Sequence, residues 1–452
     1  MKLLLSLCIS SLTIISLTAQ SGKLWTLEDC VNYGIENSPL LQSDKLNSTA
    51  LQYQIRAIKA QALPQVSING SYNYNYALAE QILPGEVFGM PGQSVAVQFG
   101  VANTLVANIE ATQLLFDKRY KSSLKAAQEN EQLTQLNIFQ STENLVYDIV
   151  NIYLNINLTE KSSGLLKSNL NRIEKLITIS QIQYEEGLIK KIDVDQLLVN
   201  LANIISEQRT LHAALKQQIN LLKLYIGIPI STNFYLADFA LEEESYDLND
   251  SLDASENTDL KVLDKQAQLL SLEDENIRAG YYPTLSAFAN YGWQGQTDRL
   301  FSSDEINKLQ GTPTGVAGLR LSIPLFDGFR KKNERQKLEV EMQQLKLTRQ
   351  NLVNSVEMAY DNANETLKQN RIILNVQIDN ISLAEALYEA SKLSYQEGVA
   401  PLTELLNAET SLKEAQTQYL RALLNVKIAE LEHLKSSGQL SKLVRTTQDT
   451  SN

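Results

Sequence analysis

Two histidines, His212 and His433, and two cysteines, Cys8 and Cys30, are the side chains best suited to metal binding or nucleophilic chemistry. Neither histidine has a second ligand at the i, i+4 spacing that puts two ligands on one helix face. Both are read as seam or surface residues of helices. Cys30 stands in no paired motif, and the chain has no Gly-rich phosphate loop, no G-x-S-x-G and no carboxylate pair arranged for acid–base work. The expectation is therefore a non-enzyme with no cofactor and no metal. Carboxylates do stand beside two glycine turns: Asp193 and Asp195 follow Gly187, and Glu404 follows Gly398. Their ordinary work is at a helix N-terminus, where a negative charge is favoured by ~0.3–1 kcal/mol. Thr403 is placed to cap the helix after the second turn.

A second group of polar side chains is defined by alternation. From Pro64, Val66, Ile68, Gly70, Tyr72, Tyr74, Tyr76 and Leu78 share one face, while Gln65, Ser67, Asn69, Ser71, Asn73 and Asn75 share the other. A period of two is a strand signal. The return run is read as Val95, Val97, Phe99, Val101, Leu105, Ala107 and Ile109 against Gln98, Thr104, Asn108 and Glu110. A second pair sets Leu285, Ala287, Ala289, Tyr291 and Trp293 against Ser286, Asn290 and Gln294, then Ala317, Leu319, Leu321 and Ile323 against Arg320 and Ser322. An apolar, Tyr-bearing face opposite an amide-rich one suits a wall between lipid and water. On that reading Gln65, Asn69, Asn73, Glu110 and Arg320 line the water side. Four strands cannot close a membrane barrel, which needs about 8, and open edges leave backbone groups unpaired in lipid. Such a chain must oligomerise.

The strands require long helices to carry them. From Lys118 to about Glu186 the chain has no Pro and one Gly, and the stretch from Arg330 to about Glu397 has neither. At ~1.5 Å per residue each would reach roughly 100 Å, far beyond the ~11–12 residues of an ordinary helix. Apolar residues repeat with the period of a left-handed coiled coil. The expected seams are Leu338, Leu345, Leu352, Ala359, Thr366 and Ile373; Leu197, Leu201, Ile204 and Leu211; and Leu405, Leu412, Tyr419 and Val426 beside Ala408, Ala415, Ala422 and Ala429. Gly187 and Gly398 read as left-handed helix stops.

The chain has 452 residues, 43% hydrophobic and 20% charged, with a net charge of −12 that argues against a nucleic-acid partner. Lys2, the apolar run Leu3 to Leu17, and Thr18-Ala19-Gln20 read as a signal peptide cut after Ala19. Cys30 then remains alone, so no intramolecular disulfide forms. Three landmarks recur in order: Lys59-Ala60-Gln61-Ala62-Leu63-Pro64 as Arg278-Ala279-Gly280-Tyr281-Tyr282-Pro283, Leu115-Phe116-Asp117 as Leu325-Phe326-Asp327, and Tyr184-Glu185-Glu186-Gly187 as Tyr395-Gln396-Glu397-Gly398. They indicate internal duplication. The expected layout is a signal peptide at 1–19 and a first repeat at 20–226, with hairpin about 64–116, long helix about 118–186 and helix about 192–226. A linker follows at 227–257. The second repeat is 258–435, with hairpin about 283–326, long helix about 328–397 and helix about 403–435, before a tail at 436–452.

Together these pieces resemble the TolC-like outer-membrane factor family over essentially the whole mature chain. The carriers are Trp25-Thr26-Leu27-Glu28-Asp29-Cys30-Val31 through Asn37-Ser38-Pro39, the paired Pro64 and Pro283, the two Leu-Phe-Asp junctions and the two Tyr-x-Glu-Gly turns. The resemblance implies a mixed α and β membrane protein: a homotrimer whose twelve-stranded β-barrel, four strands per chain, continues into a coiled-coil α-helical barrel. It implies an outer-membrane location extending into the periplasm, with an equatorial belt at roughly 20–38, 227–257 and 436–452. It implies a passive conduit of a tripartite efflux pump or type I secretion system, gated at its periplasmic tip, whose partners are outer-membrane lipid, a periplasmic adaptor (membrane fusion) protein and an inner-membrane pump. Glu404 matches a family tip acid, Asn407 stands where a second acid occurs, Asp193 matches an acid near the tip, and Asp195 has no clear counterpart. A trimer would then carry three tip carboxylates instead of six. The turns at Gly187, Leu188, Gly398 and Val399 are expected to dock the adaptor. The competing reading is a periplasmic coiled-coil scaffold or adaptor, which should carry lipoyl-like domains between its helices; the sequence shows none.

Overall fold

A computed structural model describes residues 24–237, 252, 254–298 and 310–440. The expected signal peptide, most of the expected linker beyond Ala237, residues 299–309 between the second pair of strands, and 441–452 of the expected tail lie outside them. Contacts divide the chain into two compact units, each drawing stretches from both halves: Ser43–Gln140 with Ser255–Ser355, and the remaining segments up to Gln42, Ser141–Ala254 and from Val356.

The first of these units holds the sheet. Strands β2 (Gln65–Tyr74), β5 (Asn103–Phe116), β7 (Thr284–Thr297) and β8 (Gln310–Ser322) form one antiparallel sheet in the order β2-β5-β7-β8. The alternation at Val95 and Val97 belongs elsewhere. These residues lie in β4 (Ser94–Gln98), which pairs with β3 (Glu80–Pro84) in a separate ribbon turned by a 3-10 segment, Gly85–Phe88. Tyr76, Leu78, Phe99 and Val101 fall outside both sheets, contrary to the expected continuous return strand. The reason is local: Gly100 takes φ 114, which ends the extended run before β5 begins.

Helices α2 (Pro39–Ala60), α3 (Lys118–Glu185), α5 (Thr258–Ala279) and α6 (Arg330–Gln396) each adjoin a strand. In this unit α3 meets α5 through Lys265 Nζ to Glu129 at 2.8 Å and Asn276 Nδ2 donating to Ser123 at 2.6 Å. Arg335 and Arg349 of α6 reach Asp274 and Asp264 of α5 at 2.7 and 2.6 Å.

The other unit is helical. It opens with a two-residue strand β1 (Leu24–Trp25) and α1 (Leu27–Asn37), started by a capping box in which Thr26 Oγ1 accepts from Asp29 N and the Asp29 carboxylate accepts from Thr26 N, both at 3.1 Å. β1 runs parallel to β6 (Tyr235–Leu236), and Tyr153 of α3 donates to the Ala237 carbonyl at 2.9 Å. Cys30 is fully buried. α3, α4 (Lys191–Ile226), α6 and α7 (Leu402–Ser436) share a core of Leu166, Ile173, Leu197, Ile204, Tyr388 and Leu405 with their neighbours. The expected seams of α4 and α7 are the inward ones: Leu197, Ile204, Leu405, Ala408, Leu412, Ala415, Ala422 and Ala429 are buried.

The α6 seam differs from expectation. Leu338 is buried, but Ala359, Thr366 and Ile373 are exposed, and the buried line runs Val356, Ala363, Leu367, Leu374, Tyr388 and Tyr395. Two successive four-residue steps, Leu352 to Val356 to Tyr360, move the register on by one residue before the alternation of three and four resumes. An insertion of this kind locally unwinds a coiled coil. It falls where the chain leaves one compact unit for the other.

Candidate functional site

The sheet sorts its side chains by register. Ile68 faces Ile109, Ile109 faces Tyr291, and Tyr291 faces Gly315, so all four lie on one face. One step along, Gly70, Ala107, Trp293 and Pro313 form the next row of that face. Pro313 is tolerated because β8 is an edge strand. The Trp293 ring lies over Gly295 and Gly311, where an added Cβ would overlap it. At the helix end of β5 a bulge leaves Leu114 opposite Ser286 but sets Phe116 opposite Leu285, returning Phe116 to the apolar face.

The opposite face holds the polar side chains expected there except Asn75, which lies beyond the end of β2, and Gln98, which lies in β4. Gln65 pairs Thr112, Asn69 pairs Asn108, Asn73 pairs Thr104, Ser67 pairs Glu110, and Arg320 pairs Ser286. Asn108 Nδ2 donates to Asn290 Oδ1 at 3.3 Å across β5 and β7. This face is not uniformly polar: Phe288 and Val316 lie on it, and the Arg320 guanidinium sits 5.1 Å from the Phe288 ring centre. Among the described residues β2 and β8 each have one neighbour in this sheet, leaving both edges open.

The second candidate region is the pair of helical turns. Gly187 and Gly398 both take φ 75, the left-handed conformation that ends α3 and α6. Leu188 is 73% and Val399 82% exposed. Lys190 N donates to the Asp193 carboxylate at 3.1 Å, so Asp193 closes the first turn of α4, while Asp195 is exposed one position beyond Val194. In the second turn the capping residue is Pro401, with φ −71 and ψ 156, and not Thr403, which is already inside α7. The fixed proline torsion sets the helix start two residues earlier. Glu404 and Asn407 are both exposed on α7. The neighbouring helices are tied by Tyr395, whose hydroxyl donates to Gln183 Oε1 at 3.1 Å and lies 3.1 Å from Ser180 Oγ.

A buried acid was missed by the sequence reading. Glu409 of α7 is 3% exposed, and neither carboxylate oxygen has a hydrogen-bond partner. Arg172 Nε of α3, 4.0 Å from Glu409 Oε1, is likewise unsatisfied; the Arg172 guanidinium instead bonds Asn169 and lies 5.5 Å from the Tyr388 ring centre. Burial lifts the Glu409 pKa to about 7, against the pull of Arg172 and then Lys413. The signal was present: Leu402, Leu405, Glu409 and Leu412 step by three and four, so an acid stands in the seam. Among the described residues no helix is long and apolar enough to cross a membrane, and no cluster of His, Cys, Asp or Glu could hold a metal ion.

Comparison with known proteins fits this geometry. The model of the outer membrane efflux protein family matches residues 32–227 and 255–438. The outer membrane protein TolC of Salmonella enteritidis is 22% identical over 446 residues, covering 92% of this chain and 84% of TolC. The alkaline protease secretion protein AprF of Pseudomonas aeruginosa is 24% identical over 347 residues, 71% of this chain and 66% of AprF. The Campylobacter jejuni CmeC outer membrane channel superposes with a TM-score of 0.73 at 14% identity, covering 93% of this chain and 89% of CmeC. The chain belongs to the outer membrane efflux protein family, and it is an outer-membrane protein of the TolC-like efflux and secretion channel class.

Proposed function

We propose that three copies close their four-stranded sheets into a twelve-stranded barrel and their helices into a tunnel, forming a passive conduit across the outer membrane and periplasm. The observation that carries this reading is the sheet: one face is mostly apolar on all four strands, interrupted by Gln113 near the helix end and Asn103 and Thr297 at the other, the opposite face bears Gln65, Asn69, Asn73, Glu110 and Arg320, and among the described residues both edges are open. Unpaired edges in lipid cost several kcal/mol per backbone group, and closure by further copies removes them. A periplasmic scaffold would cover its apolar face within the chain, yet Ile68, Tyr291 and Leu319 are exposed.

The helical turns at Gly187–Leu188 and Gly398–Val399 form the docking end for a periplasmic adaptor, which couples the conduit to an inner-membrane pump. Their exposed apolar side chains on fixed left-handed turns suit such a contact. Glu404, one turn before Asn407 in α7, and Asp193 and Asp195 at the start of α4 supply the charge at the gate. The test is a cysteine pair, one on the β2 edge and one on the β8 edge, in purified protein that conducts in planar bilayers. Oxidation should give covalent trimers with open-channel conductance intact. Monomer only, or no conductance, sinks the reading.

A further inference from the structure

The helix-side ends of the sheet carry a band of cations and aromatic rings that the conduit does not use. α3 opens with Lys118, Arg119 and Lys121; α6 opens with Arg330, Lys331 and Lys332 and continues with Arg335 and Lys337. The chain at large has a net charge of −12, so this band is opposite in sign to the chain as a whole. Beside it Leu325 is 93% and Phe326 75% exposed, and Phe326 meets Phe329 edge-on at 5.4 Å between ring centres. Lys118 Nζ stands 3.7 Å from the Tyr282 ring centre and Lys331 Nζ 4.7 Å from that of Tyr281.

A cleft of about 620 Å³ opens between the end of α5 and the start of α6. Phe326, Phe329 and Met342 line its apolar side; Arg278, Lys332 and Arg335 line the other, with Asp274, Asp327 and Glu339. The carboxylates are largely taken up. Asp274 faces two guanidiniums, with both Arg278 Nε and Arg335 Nε at 2.7 Å, and Asp327 is held by Lys331 at 3.0 Å. With Lys331 counted, four cations (Arg278, Lys331, Lys332 and Arg335) meet three carboxylates (Asp274, Asp327 and Glu339), which leaves one positive charge over.

We propose that this cleft binds the phosphodiester headgroup of an anionic phospholipid, with the acyl chains running along Phe326 and Leu325 onto the apolar face of the sheet. This rests on reading the sheet as a membrane wall with the helices on the periplasmic side. Guanidinium forks match paired phosphate oxygens. Aromatic rings at the strand ends mark headgroup level in membrane barrels. The surplus of cations selects an anionic lipid over a zwitterionic one.

The experiment uses the purified full-length oligomer in neutral detergent and follows its melting temperature with added phosphatidylglycerol or phosphatidylcholine. Phosphatidylglycerol should raise it more. Lys332→Gln with Arg278→Gln should abolish that preference, with apparent affinity falling about fivefold per cation removed. Lys346→Gln, farther along α6, should retain it. Equal shifts with both lipids, a double variant that keeps the preference, or the same shift with inorganic phosphate alone would each overturn the proposal. If a neighbouring copy fills the cleft instead, neither lipid shifts the melt and the double variant loses oligomer, which also overturns it. Conductance in phosphatidylcholine bilayers separates this from the conduit itself: loss of conductance in the wild type with lipid preference intact counts against the channel reading alone.

Discussion

Arg172 on α3 and Glu409 on α7 approach to 4.0 Å without a hydrogen bond between them, inside a helical interface where Glu409 is almost entirely removed from water. At this separation the attraction does not repay the desolvation of the carboxylate, which is why the Glu409 pKa is raised to about 7 and not lowered. Tyr388 on α6 faces the same pair, and Lys413, one turn on, is drawn away to Glu207 of α4.

The raised pKa fixes the sign of a pH effect. Relative to the unfolded chain, Glu409 contributes stability that is fully present below the ordinary carboxylate pKa of about 4.5. It is lost as pH rises through about 7. Glu409→Gln, which keeps the shape and removes the charge, should therefore stabilise the helical unit at pH 8 by about 3 kcal/mol more than at pH 4. Thermal melts of wild type and variant across that range read the difference. A constant offset between them would show that Glu409 does not titrate in this window.

Trp293 makes a second coupling, within the sheet. Its ring covers Gly295 and Gly311, and a methyl group at either glycine would meet it. Gly311→Ala should destabilise the assembled protein, and Trp293→Ala should relieve part of that loss. A coupling of about 0.5–3 kcal/mol is expected from a double-mutant cycle on the melting of the oligomer. Additive effects would mean the ring moves aside at little cost.

The helical turns offer a cleaner backbone test. Gly187 and Gly398 both have φ 75, and nothing lies within 4 Å of the position a Cβ would take. The cost of Gly187→Ala or Gly398→Ala is therefore conformational alone, about 1–2 kcal/mol, with no steric part. Helical melting should show it, and Gly→Asn should recover part of it, because Asn tolerates this conformation best among the non-glycine residues.

What the sequence disclosed follows from how each feature is encoded. The two faces of the sheet were readable because side chains alternate with period two, and Ile68, Ile109 and Tyr291 keep that parity across strands. The β3–β4 ribbon was not, because Val95 and Val97 alternate just as β5 does, and only the backbone at Gly100 separates them. The seam of α7 was readable from Leu405 and Ala408 onward. That of α6 went wrong after Leu352, since a one-residue shift leaves apolar content unchanged while turning Ile373 outward and Leu374 inward. Glu409 was passed over because Ala408-Glu409-Thr410 reads like a solvated helix face. The cleft beside α6 depends on Asp274 meeting both Arg278 and Arg335, a pairing that spacing along the chain cannot show for Arg335.

Glu404 gives the sharpest test of the tip. It stands exposed in the first turn of α7, three residues past Pro401 and three before the exposed Asn407. In a closed trimer each copy would place one carboxylate at this level, and three such groups would attract a trivalent cation entering from the periplasmic end. Wild-type single-channel conductance should fall when trivalent cations are added on that side, and Glu404→Ala should remove most of the block. Asn407→Asp adds a second carboxylate one helical turn away and should strengthen the block several-fold at low ionic strength, less at 0.15 M salt, where charges are screened over about 8 Å. Block unchanged in Glu404→Ala places the constriction elsewhere, and Asp193, already engaged by the Lys190 amide, would be the next residue to replace.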